Sequence, residues 1–328
     1  MTWLTWRQFR IPALAVYAAL AAVGVVLAIT GPDLVGRTEF TGDAESLYTG
    51  TMLAMYLLPA VLGVFWGVPM VTRELETGTH NLVWNQTVTR GRWLAVKLGT
   101  GALAAALAAG LLSLAVGWWA SPIDTMASAQ PENALWTRIS PALFGARGIA
   151  PIGYAVFALV LGVAVGILLR RTVAAMAVTL VVFAAVQLLV PVLVRPYVLP
   201  ATEEAVTITG ENITRITGNQ AGVIESIDVA EPSGAWVLTN ETVDPSGAAV
   251  SPLPDAVQGC MPAPGEGLPD RQTVVGCLTQ LSDLGYQQRL EYHRADDFWP
   301  LQWIETAFFL ALSALLARFC FRRLRHLS

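Results

Sequence analysis

The sequence predicts an α-helical polytopic membrane protein with six transmembrane helices. It adds an α+β extracytoplasmic domain of about 100 residues between the fifth and sixth. Three observations carry this. The 328-residue chain is 54% hydrophobic and only 13% charged, with a mean hydropathy of +0.54, whereas soluble domains carry roughly 25% charged residues. Six apolar runs reach the ~20 residues that a helix needs to cross a bilayer. The arginines are distributed very unevenly between alternate connections.

Residues 1–10, with Trp3, Trp6, Phe9 and Arg10, predict a short amphipathic helix lying at the membrane interface. The first run, Ile11–Ile29, follows Arg7 and Arg10. It exceeds the roughly 7–15 residues of a signal-peptide core, so it reads as a retained span. Spans two to five are expected at Thr51–Val71, Leu98–Ala120, Ala150–Leu169 and Thr172–Val194, and the sixth at Leu301–Cys320. Pro59 and Pro69 should kink the second, which neighbouring helices can tolerate by satisfying the freed carbonyls. Gly162 and Gly166, four apart in the fourth, form a small-residue pattern suited to close helix contact. Residues 11–194 thus hold five spans, 195–299 the outer domain, 300–320 the sixth span and 321–328 a basic tail.

Direction follows from charge. The side holding both termini carries twelve Arg and Lys against two acids, Glu74 and Glu76. The opposite side has eight bases against 21 acids. The positive-inside rule therefore makes both termini cytoplasmic. Trp118, Trp119, Trp299 and Trp303 fall at the expected outer interface, where aromatic anchors belong.

In the outer domain, Ala205–Thr209, Ile224–Val229 and Ala235–Thr239 read as strands, and Pro245–Pro269 as a loop. Gln272–Asp297 reads as helical, with Val275, Leu278, Leu281 and Leu284 roughly on one face. Cys260 and Cys277 lie in an oxidising compartment. A disulfide closing the 16 residues between them is expected to add ~3 kcal/mol to folding.

Several chemistries are excluded. A Walker A loop needs Gly-Lys, but the one lysine, Lys97, follows Val96. The spans hold no aspartate pair, His80, His293 and His326 are scattered, and no Gly-x-Ser-x-Gly elbow occurs. The arginine bias is no sign of nucleic-acid binding. Glu305 in the sixth span admits two readings: an acid at an outer gate or exit, or a carboxylate hydrated near headgroups or paired with Arg195 or Arg147. Gln187 either lines a polar path or bonds a neighbouring helix.

The longest inner connection, within residues 72–97, reads "TRELETGTHNLVWNQTVTRGRW" from Thr72 to Trp93. Arg73 and Glu76 are spaced to pair across one helical turn, and Gly78 is a natural helix stop. Leu82, Val83 and Trp84 form an apolar knob of the kind that docks into a partner.

This stretch resembles the segment after the second span of ABC-2-type transporter permeases. An acidic helix end, a Gly-Thr step, an apolar patch and an arginine there precede the third span. "TWRQFR", "RGIAPIGYAVF", "RRTVAAMAVTL" and "FWPLQWIET" resemble small actinobacterial permeases. The resemblance implies the six-span transmembrane subunit of an ABC exporter in the bacterial cell membrane, with no ATPase or cofactor of its own. ATP and Mg would sit on a separate cytoplasmic ABC ATPase subunit. A second permease copy or a paralogue would complete the path in the lipid bilayer. It assigns Glu74, Gly78, Thr79, Leu82 and Arg90 to ATPase coupling; the residues themselves add His80 and Trp84. Thr87 departs from the family pattern, which often has Pro there. A different class remains open: a non-transporting membrane sensor or scaffold whose acidic outer domain binds a ligand or peptide.

Overall fold

A computed structural model describes residues 2–36, 42–78, 89–129, 137–219, 223–260 and 271–325. The chain forms two compact units, Met1–Val198 with Phe298–Ser328, and Leu199–Asp297. Six helices are long and apolar enough to cross a membrane: Phe9–Leu34, Asp43–Glu76, Arg90–Thr125, Ala150–Leu169, Thr172–Tyr197 and Ala295–Arg325. They are called spans one to six below.

Span four forms the core of the first unit. It is apolar on every side, the pattern of a helix buried all round, and every residue from Phe157 to Ile167 is buried. Gly162 lies against span two so closely that a Cβ there would meet the Gly63 carbonyl at 2.3 Å. A Cβ on Gly67 would meet the Leu159 carbonyl at 2.4 Å. Backbone meets backbone here because neither helix has a side chain in the way. Span five differs: over Thr172–Leu189 only Ala175, Thr179 and Phe183, each four residues apart, are buried.

Span two does not simply bend at its prolines. Asp43–Val61 is α-helical, Leu62–Gly67 is a π-turn, and Pro69–Glu76 is α-helical again. Pro69 has no N–H for the Phe65 carbonyl, so the ladder re-registers by one residue. Val68 N–H accordingly donates to the Gly63 carbonyl, five residues back, at 3.1 Å.

Two spans begin or end beyond their expected limits. One α-helix runs from Thr2 to Thr30, so the backbone of the first ten residues continues into span one. No glycine precedes Ile11, and Pro12 forfeits only one i−4 bond. Span three belongs to a helix running from Arg90 to Ala129. Thr89 caps its start, its Oγ1 accepting from Arg92 N–H at 3.3 Å. Pro122 orphans the Trp118 carbonyl, and the Ser121 hydroxyl donates to that same oxygen at 2.9 Å. The helix therefore continues past Ala120.

Between spans three and four, the buried segment around Pro141–Phe144 is held by side chains from four helices. Tyr56 donates to Ala142 O at 2.8 Å and Ser113 to Gly148 O at 2.6 Å. Gln302 accepts from the Ile149 and Ala150 amides at 2.9 and 2.7 Å, and donates to Phe144 O at 2.9 Å. Arg195 Nη1 reaches Pro141 O at 3.4 Å. Irregular buried backbone is stable only when its polar groups are met in this way.

In the second unit, an antiparallel sheet orders β1 (Thr202–Thr207), β5 (Gln287–His293) and β4 (Trp236–Val243), and β2 (Ile213–Gly218) pairs with β3 (Ile224–Val229). Cys260 and Cys277 form a disulfide. The expected helix over Gln272–Asp297 is corrected. Helices cover Arg271–Leu278 and Gln280–Asp283, Gly285 takes a left-handed φ of +83°, and β5 follows. Buried Gln288, Leu290 and Tyr292 alternate with the more exposed Gln287, Arg289 and Glu291, a period of two.

Candidate functional site at the C-terminal end of span two

The helix Pro69–Glu76 ends span two, and its two glutamates point to different neighbours because two residues turn a helix by roughly 200°. Glu74 faces span three. Its Oε1 accepts from Lys97 Nζ at 2.5 Å, and Lys97 also donates to the Met70 carbonyl at 2.8 Å. The Lys97 side chain is 5% exposed, and its ammonium lies 4.6 Å from the Trp93 ring centroid. A buried ammonium is stable only with its charge answered, and here a carboxylate, a carbonyl and an aromatic face answer it.

Glu76 faces span five. Its Oε2 accepts from the Thr172 hydroxyl at 2.6 Å and from Thr172 N–H at 3.4 Å. Thr72 Oγ1 lies 2.9 Å from the same hydroxyl. Thr172 is the first residue of its helix, so a carboxylate there meets an orphan donor and complements the helix dipole. The pairing of Arg73 with Glu76 suggested by their spacing does not form. Glu76 is engaged by Thr172, and Arg73 is exposed, with no ion pair among the described residues.

The helix stops at once after this double tie. The Thr77 hydroxyl donates to Arg73 O at 2.8 Å, and Gly78 takes φ +71°, the left-handed turn that ends a helix at least cost in glycine. Residues 79–88, with Thr79, His80, Leu82 and Trp84, lie outside the described residues. Arg90 opens the helix of span three. The outgoing flank is thereby anchored twice: one glutamate ties the helix Pro69–Glu76 to span three, the other to span five.

Glu305 and Gln187 are elsewhere. Glu305 is buried and paired with Arg195: Nε to Oε2 at 2.8 Å and Nη2 to Oε1 at 3.0 Å. The Tyr154 hydroxyl also donates to Oε1, and the guanidinium lies 4.2 Å from the Phe144 ring centroid. Arg147 instead meets Asp124 at 3.3 Å and the Tyr48 hydroxyl at 3.0 Å. Gln187 is half-buried and continues the Ala175–Thr179–Phe183 stripe, without a hydrogen bond among the described residues. The sequence reading missed both glutamate ties. One signal was present, since a lone lysine at the head of an apolar run needs a buried acid.

No curated protein and no solved structure matches the chain. The family model described as ABC-2 membrane transporter related matches residues 13–195, which run from within span one to within span five and include residues 79–88 and both glutamate ties. The chain belongs to the ABC-2 membrane transporter related family.

Proposed function

We propose that this chain is the permease subunit of an ATP-driven exporter, driven through the connection between spans two and three. Membership of the family implies an ABC ATPase partner in general. The observation that carries the finer reading is the double tie: Glu74 to Lys97 and Glu76 to Thr172, immediately before residues 79–88. A connection that served only to reverse the chain would not need its flank fixed to two further helices.

In this reading both termini are cytoplasmic, and the apolar knob Leu82-Val83-Trp84 seats in a groove of the ATPase. ATP and Mg are bound by that partner, because the chain has no Gly-Lys loop of its own. ATP binding draws two ATPases together, each connection follows its ATPase, and the helix Pro69–Glu76 carries the movement to spans three and five. The π-turn above it gives span two a point at which to flex. Six spans form half of the path, and a second copy or a paralogue supplies the rest. Transport runs outward across the bacterial cell membrane.

Isolation of the tagged full chain in mild detergent, with identification of what accompanies it, tests this. A co-isolated P-loop protein supports the permease reading. A kinase, or no companion at all, favours the sensor or scaffold.

A further inference from the structure

Beside the Glu74–Lys97 tie lies a cavity of about 250 Å³ bounded by spans one, two and three. Its apolar walls include Phe9, Phe65 and Trp66, and its polar end carries Arg73, Glu74 and Lys97. Phe9 and Trp66 meet edge to face with ring centroids 4.6 Å apart, which holds the inner wall rigid. Trp66 is buried, whereas Phe65 is 58% exposed and faces outward from the bundle. The cavity therefore has a closed apolar back, an open apolar lip and a charged end.

The charges decide what would fit. Lys97 and Glu74 neutralise each other, so the lining keeps one net positive charge, on Arg73. That guanidinium offers five donors in a planar fork suited to a phosphate. Drug-sized ligands occupy roughly 300–1,000 Å³, so this space suits a headgroup with its first methylenes and not a whole amphiphile. A free phosphate would satisfy Arg73 but would leave the aromatic walls without a partner. Basic pockets between transmembrane helices on the cytoplasmic side are known to take anionic lipid heads.

We infer that this cavity binds the headgroup and proximal chain of an anionic phospholipid from the cytoplasmic leaflet, with Arg73 on its phosphate. The inference takes its membrane side from the orientation proposed above. The ligand contacts the helix Pro69–Glu76, the element proposed to carry the ATPase stroke, so its binding bears directly on that stroke.

The test is native mass spectrometry of the purified full chain, titrated with phosphatidylglycerol or phosphatidylcholine. Phosphatidylglycerol is expected to bind about tenfold more tightly, because phosphatidylcholine brings the same phosphate together with a choline cation that the net positive charge of Arg73 opposes. Arg73→Gln should bring the two lipids to within about twofold. Phe65→Ala should weaken both. Arg322→Gln, a change in the basic end of span six at a residue that does not line the cavity, should alter neither. Equal retention of the two lipids by the unmodified chain overturns the assignment, as does an undiminished preference in Arg73→Gln. Displacement of phosphatidylglycerol by inorganic phosphate overturns it in favour of a soluble-anion site. The readout needs no ATPase, so its failure is distinct from failure of the coupling reading.

Discussion

Two side chains 110 residues apart in the sequence, Arg195 and Glu305, show how charge is tolerated inside this bundle. Each is almost wholly buried, yet the pair is bidentate and its remaining lone pairs are met by Tyr154. Removing one member of such a pair leaves an uncompensated buried charge and costs about 3–5 kcal/mol, whereas replacing both with apolar groups is often neutral. Arg195→Met should therefore lower the thermal unfolding midpoint clearly, and Arg195→Met with Glu305→Met should recover most of the loss. Equal midpoints for the single variant and the parent would contradict the role assigned to the pair. In the second unit, Asp244 accepts from the Ser246 hydroxyl at 2.6 Å and from the Ser246 and Ala248 amides at 2.8 and 3.0 Å. The Ser246 hydroxyl, then these amides, hold its carboxyl below the usual range. A depressed carboxyl stabilises the fold only while ionised. Its contribution is complete above the ordinary value of ~3.9 and is lost as pH falls through the lowered one. Exchange of the Ser246 and Ala248 amides should accelerate over that window, and Asp244→Ala should abolish the pH dependence.

At the scale of elements, the contact between spans two and four is the tightest feature of the bundle. Gly162→Ala would bring a methyl within 2.3 Å of the Gly63 carbonyl, with no flexible side chain to give way. Overpacking of this kind costs typically 1–3 kcal/mol, so the variant should unfold at lower temperature than Gly99→Ala, where nothing lies within 4 Å. If the two behave alike, the helices are not packed at this seam. The glycine spacing that makes this contact is readable in the sequence, as are the order and centres of all six spans. What was not readable depends on single local bonds. The helix of span three outruns its apolar stretch because Ser121 answers the carbonyl that Pro122 orphans. Strand β5 was taken for helix because Leu278, Leu281 and Leu284 keep helical spacing up to Gly285, where the period changes to two. The strand is fixed by pairing with β1 and β4, distant in sequence, which no local pattern announces.

At the scale of the whole molecule, the connection through residues 79–88 follows a helix whose two glutamates are tied to spans three and five. The sequence marks that connection by its polar length and its acidic helix end. Of the two glutamates' partners, Lys97 is marked in the sequence as a lone lysine at the head of an apolar run, whereas Thr172 emerges only from the packing of span five. Glu76→Gln keeps the shape but weakens the charge at the start of span five, so it should lower transport-linked ATPase activity more than it lowers thermal stability. A matched loss of both would reduce Glu76 to a structural cap. The apolar knob makes the sharper claim. Trp84→Ala should leave the chain folded and inserted, yet reduce the amount of ATPase that accompanies it or uncouple hydrolysis from transport. The most direct measurement is the composition of the complex isolated through a tag on the full chain. The account predicts a P-loop ATPase recovered with the parent chain and depleted with Trp84→Ala. Recovery of the parent chain with no ATPase, or undiminished and still coupled ATPase with Trp84→Ala, would contradict it.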